Sequence, residues 1–491
     1  MSSEKDFVKP DPDAKFFDSA GVELATHGLE HNEEIVKRAW RKVDFHIMPI
    51  AVLLYLASYI DRANIGNAKV LGMSKDLGLT PSQYNWSLSI FFIGYLLYET
   101  PSNIILKKVH PRWYIPILTV IWGIICSLVS LVHDSSQLLT IRFFLGVAEA
   151  GFLPGIIYWM GCWYPRPMQG RRFAVLYSAV SLTGAFGGLL ATAIHSLNGK
   201  RGIAGWRWIF IVEGCITAGL GVLSFFFMCN YPDTAKWLTP AERAVILKAN
   251  EADRALKAGE AFNGKQIWSA FTDYRTYLWG LIYLSTYIPV YSVILSLPTV
   301  VTGLGYKGTT ATLMACPPYG FGFIVVLFAG WTSDRFKDRF THYVIGCLVT
   351  MVALIVLMAA TNLVVRYVMF FLAMFMFLPI SIIWSWVANN TAGTNKRAAA
   401  TGVIFSMGNI GGAISGQIYR AEWAPRYVQG HAINFGCYVF ALAAGTLSWW
   451  GYRRDNQRRD REFGQRKDGN NMLGDELGDL GDRHPNFRYY T

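Results

Sequence analysis

Apolar residues in this chain fall into long runs that are separated by short polar stretches. The hydrocarbon core of a bilayer is about 30 Å thick, so a helix that crosses it needs about 20 predominantly apolar residues. Runs of this length recur along most of the chain. They predict twelve transmembrane helices, at residues 45–67, 84–106, 113–132, 138–163, 173–197, 208–229, 277–301, 313–331, 343–361, 367–387, 398–418 and 432–452.

The longest polar gap separates the sixth run from the seventh and is rich in Lys, Glu and Asp. Within it, Thr239 is suited to cap a helix that has Pro240 at its first position and Glu242 in its first turn. Because this gap divides the runs into two sets of six, we predict an all-α integral membrane fold with twelve transmembrane helices in two six-helix bundles. The predicted segments are an N-terminal tail (1–44), a first bundle (45–229), a linker (230–276), a second bundle (277–452) and a C-terminal tail (453–491).

The composition favours a membrane protein over a set of soluble domains. Hydrophobic residues make up 53% of the chain and charged residues 16%, and the mean hydropathy is +0.28. The net charge of +12 comes from Lys and Arg in the loops, so it does not indicate nucleic-acid binding.

Basic residues are not shared equally between the loops. They concentrate after the second, fourth, eighth and tenth runs and in the linker and both tails. Since loops rich in Lys and Arg stay on the cytoplasmic side, we predict a multi-pass protein with both termini in the cytoplasm. No signal-peptide core precedes residue 45, so the first run is expected to act as the targeting signal.

The cysteines lie within or beside apolar runs, without a CxxC motif or a Cys/His spacing suited to a metal. We therefore predict free thiols and neither a metal nor another cofactor. Histidines are scattered singly instead of clustering with carboxylates at one membrane face, so the sequence does not favour an enzyme. The cysteines are Cys126, Cys162, Cys215, Cys229, Cys316, Cys347 and Cys437.

Four ionisable residues fall deep within the predicted spans, where a charge is costly and marks a functional site by default. Asp61 and Arg62 are adjacent on a helix, so their side chains point about 100° apart and cannot face the same neighbour. Arg142 and Glu149 are seven residues apart, so they share one helix face at about 10.5 Å along the axis. An alternative is that Asp61 and Arg142 form a purely structural ion pair.

Such residues suit the transport of an anion. A carboxyl group removed from water can carry a proton, and a guanidinium can hold a substrate carboxylate through two hydrogen bonds. Two further acids lie nearer the span ends. We expect Glu99 to pair with basic loop residues, and Glu213 to pair with Arg207 or with a neighbouring helix.

Several motifs resemble the major facilitator superfamily and, within it, the anion:cation symporter group. The GxxxDRxxxR pattern after the eighth run is similar to the superfamily's cytoplasmic gating loop, and comprises Gly330, Asp334, Arg335 and Arg339. The segments YIDRANIG, RFFLGVAEAGFLPG, GWRWIFIVEG, PDTAKWLT and GDRHPNFRY together resemble fungal allantoate, nicotinate, pantothenate and biotin permeases.

The resemblance implies roles for particular residues. Arg62 would contact the substrate carboxylate, and Asp61 and Glu149 would be protonated during transport. Arg142 would help to set the proton affinity of Asp61. The resemblance also implies that three polar side chains line the cavity and bind substrate, namely Tyr59, Tyr95 and Asn409. It favours the plasma membrane as the location.

We therefore predict a proton-coupled importer of a small organic anion, a monocarboxylate such as nicotinate, allantoate or a vitamin acid, which works by alternating access as a monomer. Its partners would be the anion, the proton as coupling ion and the lipid bilayer. The alternative is a proton-antiport exporter of a small metabolite. The span-five proline typical of drug antiporters is missing from the run Gly184–Gly188, which lowers the case for export. A non-transporting sensor would need a longer signalling tail.

Overall fold

The computed structural model describes residues 33–229, 231–258, 264–336, 338–392, 394–464, 482, 484–485 and 487–491. These residues form helices and connecting loops without a β-strand. The predicted tails therefore lie partly outside the described residues. The helices of nine or more residues are α1 (Glu33–Val70), α2 (Pro81–Lys108), α3 (Pro111–Leu128), α4 (Ser135–Glu149), α5 (Phe152–Trp163), α6 (Arg166–His195), α7 (Gly205–Phe227), α8 (Pro240–Ala258), α9 (Gly264–Thr272), α10 (Tyr274–Thr302), α11 (Gly308–Phe336), α12 (Phe340–Ala359), α13 (Leu363–Ala373), α14 (Phe377–Asn390), α15 (Thr394–Ser415) and α16 (Val428–Phe463).

Ten of the twelve predicted spans coincide with helices, or pairs of helices, that are long and apolar enough to cross a membrane. The other two correspond to α2 and α15. In α15 the apolar part is shorter, at Ala399–Ser415. The helices before the linker, α1 to α7, are called the first half of the protein, and those after it, α10 to α16, the second half. The two less apolar helices pack against each other across these halves: Ser89 Oγ donates to the Ala413 carbonyl at 2.7 Å. Polar side chains on these two helices can therefore be satisfied by protein partners.

Two predicted spans are interrupted rather than continuous. The fourth consists of α4 and α5, which are separated at Ala150 and Gly151. Pro154 has no N–H to donate to the Ala150 carbonyl, which explains a break at this point. The tenth consists of α13 and α14 joined by one 3₁₀ turn, and Pro379 likewise has no N–H for the carbonyl four residues before it.

The linker helix α8 begins where its sequence predicts. The Glu242 N–H donates to Thr239 Oγ1 at 3.3 Å, and the Thr239 N–H donates to Glu242 Oε2 at 3.0 Å, which completes a capping box. Lys42 of α1 reaches the same carboxylate at 2.7 Å. The hydrogen bond from the Lys42 ammonium is the main cause that lowers the pKa of Glu242 to about 2. This network ties the linker to the start of α1.

The side of the molecule that carries α8 and α9 is called the linker face, and the opposite side the far face. Near the far face, the two halves meet in three helix pairs, α1 with α10, α2 with α15, and α6 with α11. Thr192 Oγ1 and Thr312 Oγ1 lie 2.8 Å apart in the third pair. Small residues allow this approach: a Cβ atom at Gly188 or Gly416 would collide with the facing helix.

Candidate functional site

Arg62 and Glu149 form a buried ion pair near the centre of the molecule. The Arg62 Nε atom lies 3.1 Å from both carboxylate oxygens of Glu149, and Ser58 Oγ donates to Glu149 Oε1 at 2.5 Å. The two residues are only 4% and 1% exposed. Glu149 ends α4, so the break between α4 and α5 sets the position of its carboxylate. The pair joins the first span to the fourth.

The same guanidinium also reaches the second half of the protein. Arg62 Nη1 donates to the Tyr291 hydroxyl of α10 at 3.2 Å. This hydroxyl lies 3.2 Å from the hydroxyl of Tyr59. The Arg62 guanidinium carbon lies 4.9 Å from the Tyr59 ring centroid, 5.1 Å from that of Tyr95 and 5.4 Å from that of Phe91. Aromatic faces attract a cation, so these rings hold the guanidinium in place.

Tyr291 belongs to a row of tyrosines that was not predicted from the sequence. Tyr283, Tyr287 and Tyr291 follow one another at four-residue spacing on α10, and all three are buried. Their ring centroids are 4.4 Å and 5.0 Å apart along the row. The signal was present in the segment YLSTYIPVY, because residues four apart lie on one helix face. Nothing in the sequence showed that this face meets Arg62.

Tyr283, at one end of the tyrosine row, contacts Trp384 of α14. Trp384 Nε1 donates to the Tyr283 hydroxyl at 2.9 Å. The Trp384 ring also lies 5.4 Å from Tyr177 of the first half and 4.6 Å from Phe405 of the second. Aromatic side chains therefore run without a gap from Arg62 to Trp384.

Asn409 lies on α15 and contacts Glu99 of α2 across the two halves. Its Nδ2 atom donates to Glu99 Oε2 at 3.3 Å. Our prediction that Glu99 pairs with basic loop residues is wrong. The reason is that Glu99 lies nine residues before the end of α2, where it faces the opposite half rather than the loop.

Asp61 points away from Arg62, as expected for neighbours on a helix. It lies in a pocket between α1, α3 and α7 and is 1% exposed. Its carboxylate accepts hydrogen bonds from Thr217 Oγ1 at 3.0 Å, Trp122 Nε1 at 3.2 Å and Cys126 Sγ at 3.5 Å. Among the described residues, Asp61 therefore has three hydrogen-bond donors and no ion pair with a basic side chain.

Arg142 is fully buried and has only a partial set of partners. Its Nε atom donates to the Ser87 carbonyl at 3.2 Å, and its guanidinium lies 5.0 Å from the Phe91 ring centroid. Its Nη1 and Nη2 atoms have no hydrogen-bond partner among the residues that the structure describes. The alternative of a structural Asp61–Arg142 ion pair is therefore not what the structure contains.

Glu213 accepts a hydrogen bond from Asn64 Nδ2 on the neighbouring helix α1. Of the two partners that the sequence suggested, the neighbouring helix is the one found. Arg207 instead lies 3.6 Å from Asp76 and donates to the Ser130 carbonyl at 2.5 Å, near the far face.

The residues that resemble a gating loop lie at the linker face, away from Arg62. Gly330, Asp334 and Arg335 belong to the last turns of α11, and Arg339 precedes α12. Arg339 Nη1 donates to Ser333 Oγ at 2.8 Å, which holds the short connection between these helices. Their role in gating stays a prediction.

The described residues contain no group of three or more His, Cys, Asp and Glu side chains arranged to hold a metal ion. What they bring together is one buried guanidinium, one carboxylate that pairs with it, and a wall of aromatic rings from both halves. This arrangement can exchange one carboxylate for another on a fixed cation.

Comparison with known proteins agrees with this architecture. Residues 51–416 match the Major Facilitator Superfamily, and the chain belongs to this family of membrane transporters. It is 34% identical to the MFS-type transporter cnsO of Penicillium expansum, over 92% of this chain and 90% of the relative. It is 31% identical to the major facilitator-type transporter hxnP of Emericella nidulans, over 93% of this chain and 94% of the relative. The protein is therefore a multi-pass membrane transporter and not an enzyme.

Solved structures show the same fold. A bacterial homologue of the human lysosomal transporter Spinster, in an inward-facing and unoccupied conformation, aligns with a TM-score of 0.60 at 17% identity. The alignment covers 82% of this chain and 95% of that one. At this identity the likeness concerns the fold alone.

Proposed function

We propose that this protein is a proton-coupled secondary transporter that imports a small organic monocarboxylate by alternating access. The observation that carries the proposal is the position of Arg62. Its guanidinium is buried, it is paired with a carboxylate of its own half, and it touches the hydroxyl of Tyr291 in the other half. A substrate carboxylate can replace Glu149 on this guanidinium with little change in geometry.

Protonation of Glu149 is the step that frees Arg62. A protonated Glu149 no longer neutralises the guanidinium, so the incoming carboxylate takes its place and the buried charge stays balanced. Asp61 provides a second site for a proton on the opposite side of α1. The substrate and the proton are thereby coupled through one residue, because the anion binds well only when Glu149 is neutral.

Coupling of this kind also solves an electrical problem. If the linker face is cytoplasmic, as the basic loops favour, a monoanion that enters against the membrane potential costs about 2.3 kcal/mol per 100 mV. One proton carried with it cancels this cost, and a second makes entry favourable. This argument supports a membrane that holds a potential, such as the plasma membrane. The residues around Arg62 all come from one chain, which supports function as a monomer.

The aromatic side chains around Arg62 indicate which class of substrate anion fits the site. Tyr59, Tyr95 and the tyrosine row of α10 offer ring faces and hydroxyl groups beside Arg62. Such a wall suits a planar acid such as nicotinate, whose ring stacks while its carboxylate meets the guanidinium. Allantoate and vitamin acids are the neighbouring candidates.

The test is uptake of labelled nicotinate by cells that express the full chain, at about pH 5 and about pH 7.5, with allantoate, pantothenate and biotin as unlabelled competitors. We expect faster uptake at the lower pH, loss of uptake with a protonophore, and a competitor ranking that names the substrate. The variant Arg62→Lys keeps the charge and loses the two-point geometry, so its uptake should fall. If nicotinate is not taken up by protein at the cell surface, the other three acids are each tested in labelled form. Absence of uptake for all four would overturn import of these acids, and efflux from preloaded cells would support the exporter.

A further inference from the structure

Asn64 and Glu213 form a polar contact between α1 and α7 beside the one that Asp61 makes with Thr217. Asn64 follows Asp61 by three residues, and Glu213 precedes Thr217 by four, so the two contacts are neighbours on the same helix faces. Both members of the Asn64–Glu213 pair are buried. The site lies within the first half of the protein, and in the described residues neither Asn64 nor Glu213 forms a hydrogen bond with Arg62 or Glu149.

Within the described part of the chain, each member of the pair has one side-chain oxygen atom without a hydrogen-bond partner. These atoms are Asn64 Oδ1 and Glu213 Oε1. Among the described residues, no Lys, Arg or His forms an ion pair or a hydrogen bond with Glu213. An ionised Glu213 would leave two buried acceptors unsatisfied, which costs free energy. A carboxylic acid facing an amide can instead form two hydrogen bonds, N–H to oxygen and O–H to oxygen, so one proton on Glu213 satisfies both groups.

The charges around the Asn64–Glu213 pair also favour a protonated Glu213. The titratable groups that face Glu213 are Asp61 of α1 and Cys126 of α3, with Arg142 of α4 beside Cys126. Arg62 and Glu149 balance each other, and Asp61 and Arg142 have opposite formal charges. A charge on Glu213 would therefore be uncompensated and would lie close to Asp61. Asp61 has three donors and Glu213 one, so Asp61 is the better site for the anion of the two.

We propose that Glu213 stays protonated throughout transport and is a positioning residue for Asp61. Its acid–amide pair with Asn64 fixes α1 against α7, so that the Thr217 hydroxyl reaches Asp61, and it does so without a second negative charge that would compete for the proton. This inference rests on the proposed function, because it concerns the environment of a proton site in the same transporter.

The test compares Glu213→Gln with Glu213→Leu in the full-length transporter. A glutamine amide also makes two hydrogen bonds to Asn64, so we expect uptake by Glu213→Gln within about twofold of wild type and with the same pH profile. Leucine loses the pair, and we expect several-fold slower uptake with a shifted pH profile. In infrared spectra of the purified protein, a carboxylic-acid C=O band should persist when the pH is raised to about 9 and should be absent from Glu213→Gln.

Two results would overturn the inference. One is a Glu213→Gln protein that exchanges anions across the membrane but no longer accumulates them with a proton gradient, since Glu213 would then release its proton in each cycle. The other is the absence of a pH-insensitive acid band that depends on Glu213. Asp61→Asn is measured in parallel: if it retains full proton-driven uptake, the proposed role of Asp61 in coupling fails, while the infrared result still decides the protonation of Glu213.

Discussion

The Glu149 carboxylate accepts hydrogen bonds from two side chains, those of Arg62 and Ser58. Glu149→Gln removes the charge and keeps the shape. We expect it to lose proton-driven accumulation and to retain exchange of labelled for unlabelled anion, because the binding cation is still present. The measurement is uptake under a pH gradient beside counterflow in vesicles.

The matched control for this prediction is Glu99→Gln. Glu99 is also a membrane carboxyl, but its hydrogen-bond partner is Asn409, whereas the carboxylate in direct contact with Arg62 is that of Glu149. It should keep proton-driven accumulation. If both variants lose proton-driven accumulation to the same extent, coupling does not depend specifically on the carboxylate that pairs with Arg62.

Tyr291 connects the cation of one half with the helix of the other. Tyr291→Phe keeps the ring in the tyrosine row and removes the hydroxyl that accepts from Arg62. A single hydrogen bond contributes about 1 kcal/mol, so we expect KM for the anion to rise about fivefold. Tyr287→Phe serves as the control, since Tyr287 packs against Tyr291 in the same row and, in the described residues, forms neither a hydrogen bond nor a cation–π contact with Arg62. An unchanged KM in Tyr291→Phe would remove this hydroxyl from the binding site.

The residue scale also shows where sequence reasoning succeeds and where it stops. The adjacency of Asp61 and Arg62 predicted that they face different neighbours, because helix geometry fixes their angle. It could not predict that Trp122, Cys126 and Thr217 supply the donors to Asp61, since these lie on two other helices. Tyr291 was missed for the same reason: its partner is 229 residues away in the chain.

At the scale of single elements, the start of α8 is stabilised by one carboxylate, that of Glu242. Glu242 caps its own helix and binds Lys42 of α1. Because its pKa is lowered in the folded protein, the stability that it contributes is present above its ordinary pKa of about 4.3 and is lost as the pH falls towards 2. We expect Glu242→Gln to lower Tm in detergent at pH 7, and the difference from wild type to shrink as the pH falls.

Glu462→Gln is the control for this effect, because Glu462 is exposed in the last turn of α16. It should leave Tm unchanged at both pH values. A Tm difference for Glu242→Gln that stays constant as the pH falls would show that the charge of Glu242 is not what stabilises α8, since a glutamine oxygen can still accept from the Thr239 N–H.

The sequence predicts where membrane-spanning helices occur, but it predicts less well whether each helix is continuous or broken. Apolar runs of about 20 residues identified the spans, since the bilayer thickness imposes that length. The breaks at Pro154 and Pro379 follow from a missing N–H, yet other spans carry prolines within a continuous helix, as α10 does at Pro289 and Pro298. Whether a proline breaks a membrane helix depends on what its neighbours supply, and that information lies in the packing.

For the whole molecule, alternating access requires that the contacts near the far face open and close. Thr192 of α6 and Thr312 of α11 are suited to test this, because their hydroxyl oxygens lie 2.8 Å apart across the two halves. We predict that the pair Thr192→Cys and Thr312→Cys, in a Cys316→Ser background, forms a disulfide under mild oxidation. The background removes a thiol that lies beside Thr312.

The oxidised protein should not take up substrate from the far face, and reductant should restore uptake, because the covalent bond holds α6 against α11 in the closed arrangement. Thr192→Cys alone in the same background should be insensitive to oxidant. Gel mobility after cleavage in the 230–276 linker reports the cross-link independently of transport. Full uptake by protein that is completely cross-linked would show that these two helices do not separate during the cycle, and the moving contact would then have to be sought between α1 and α10 or between α2 and α15.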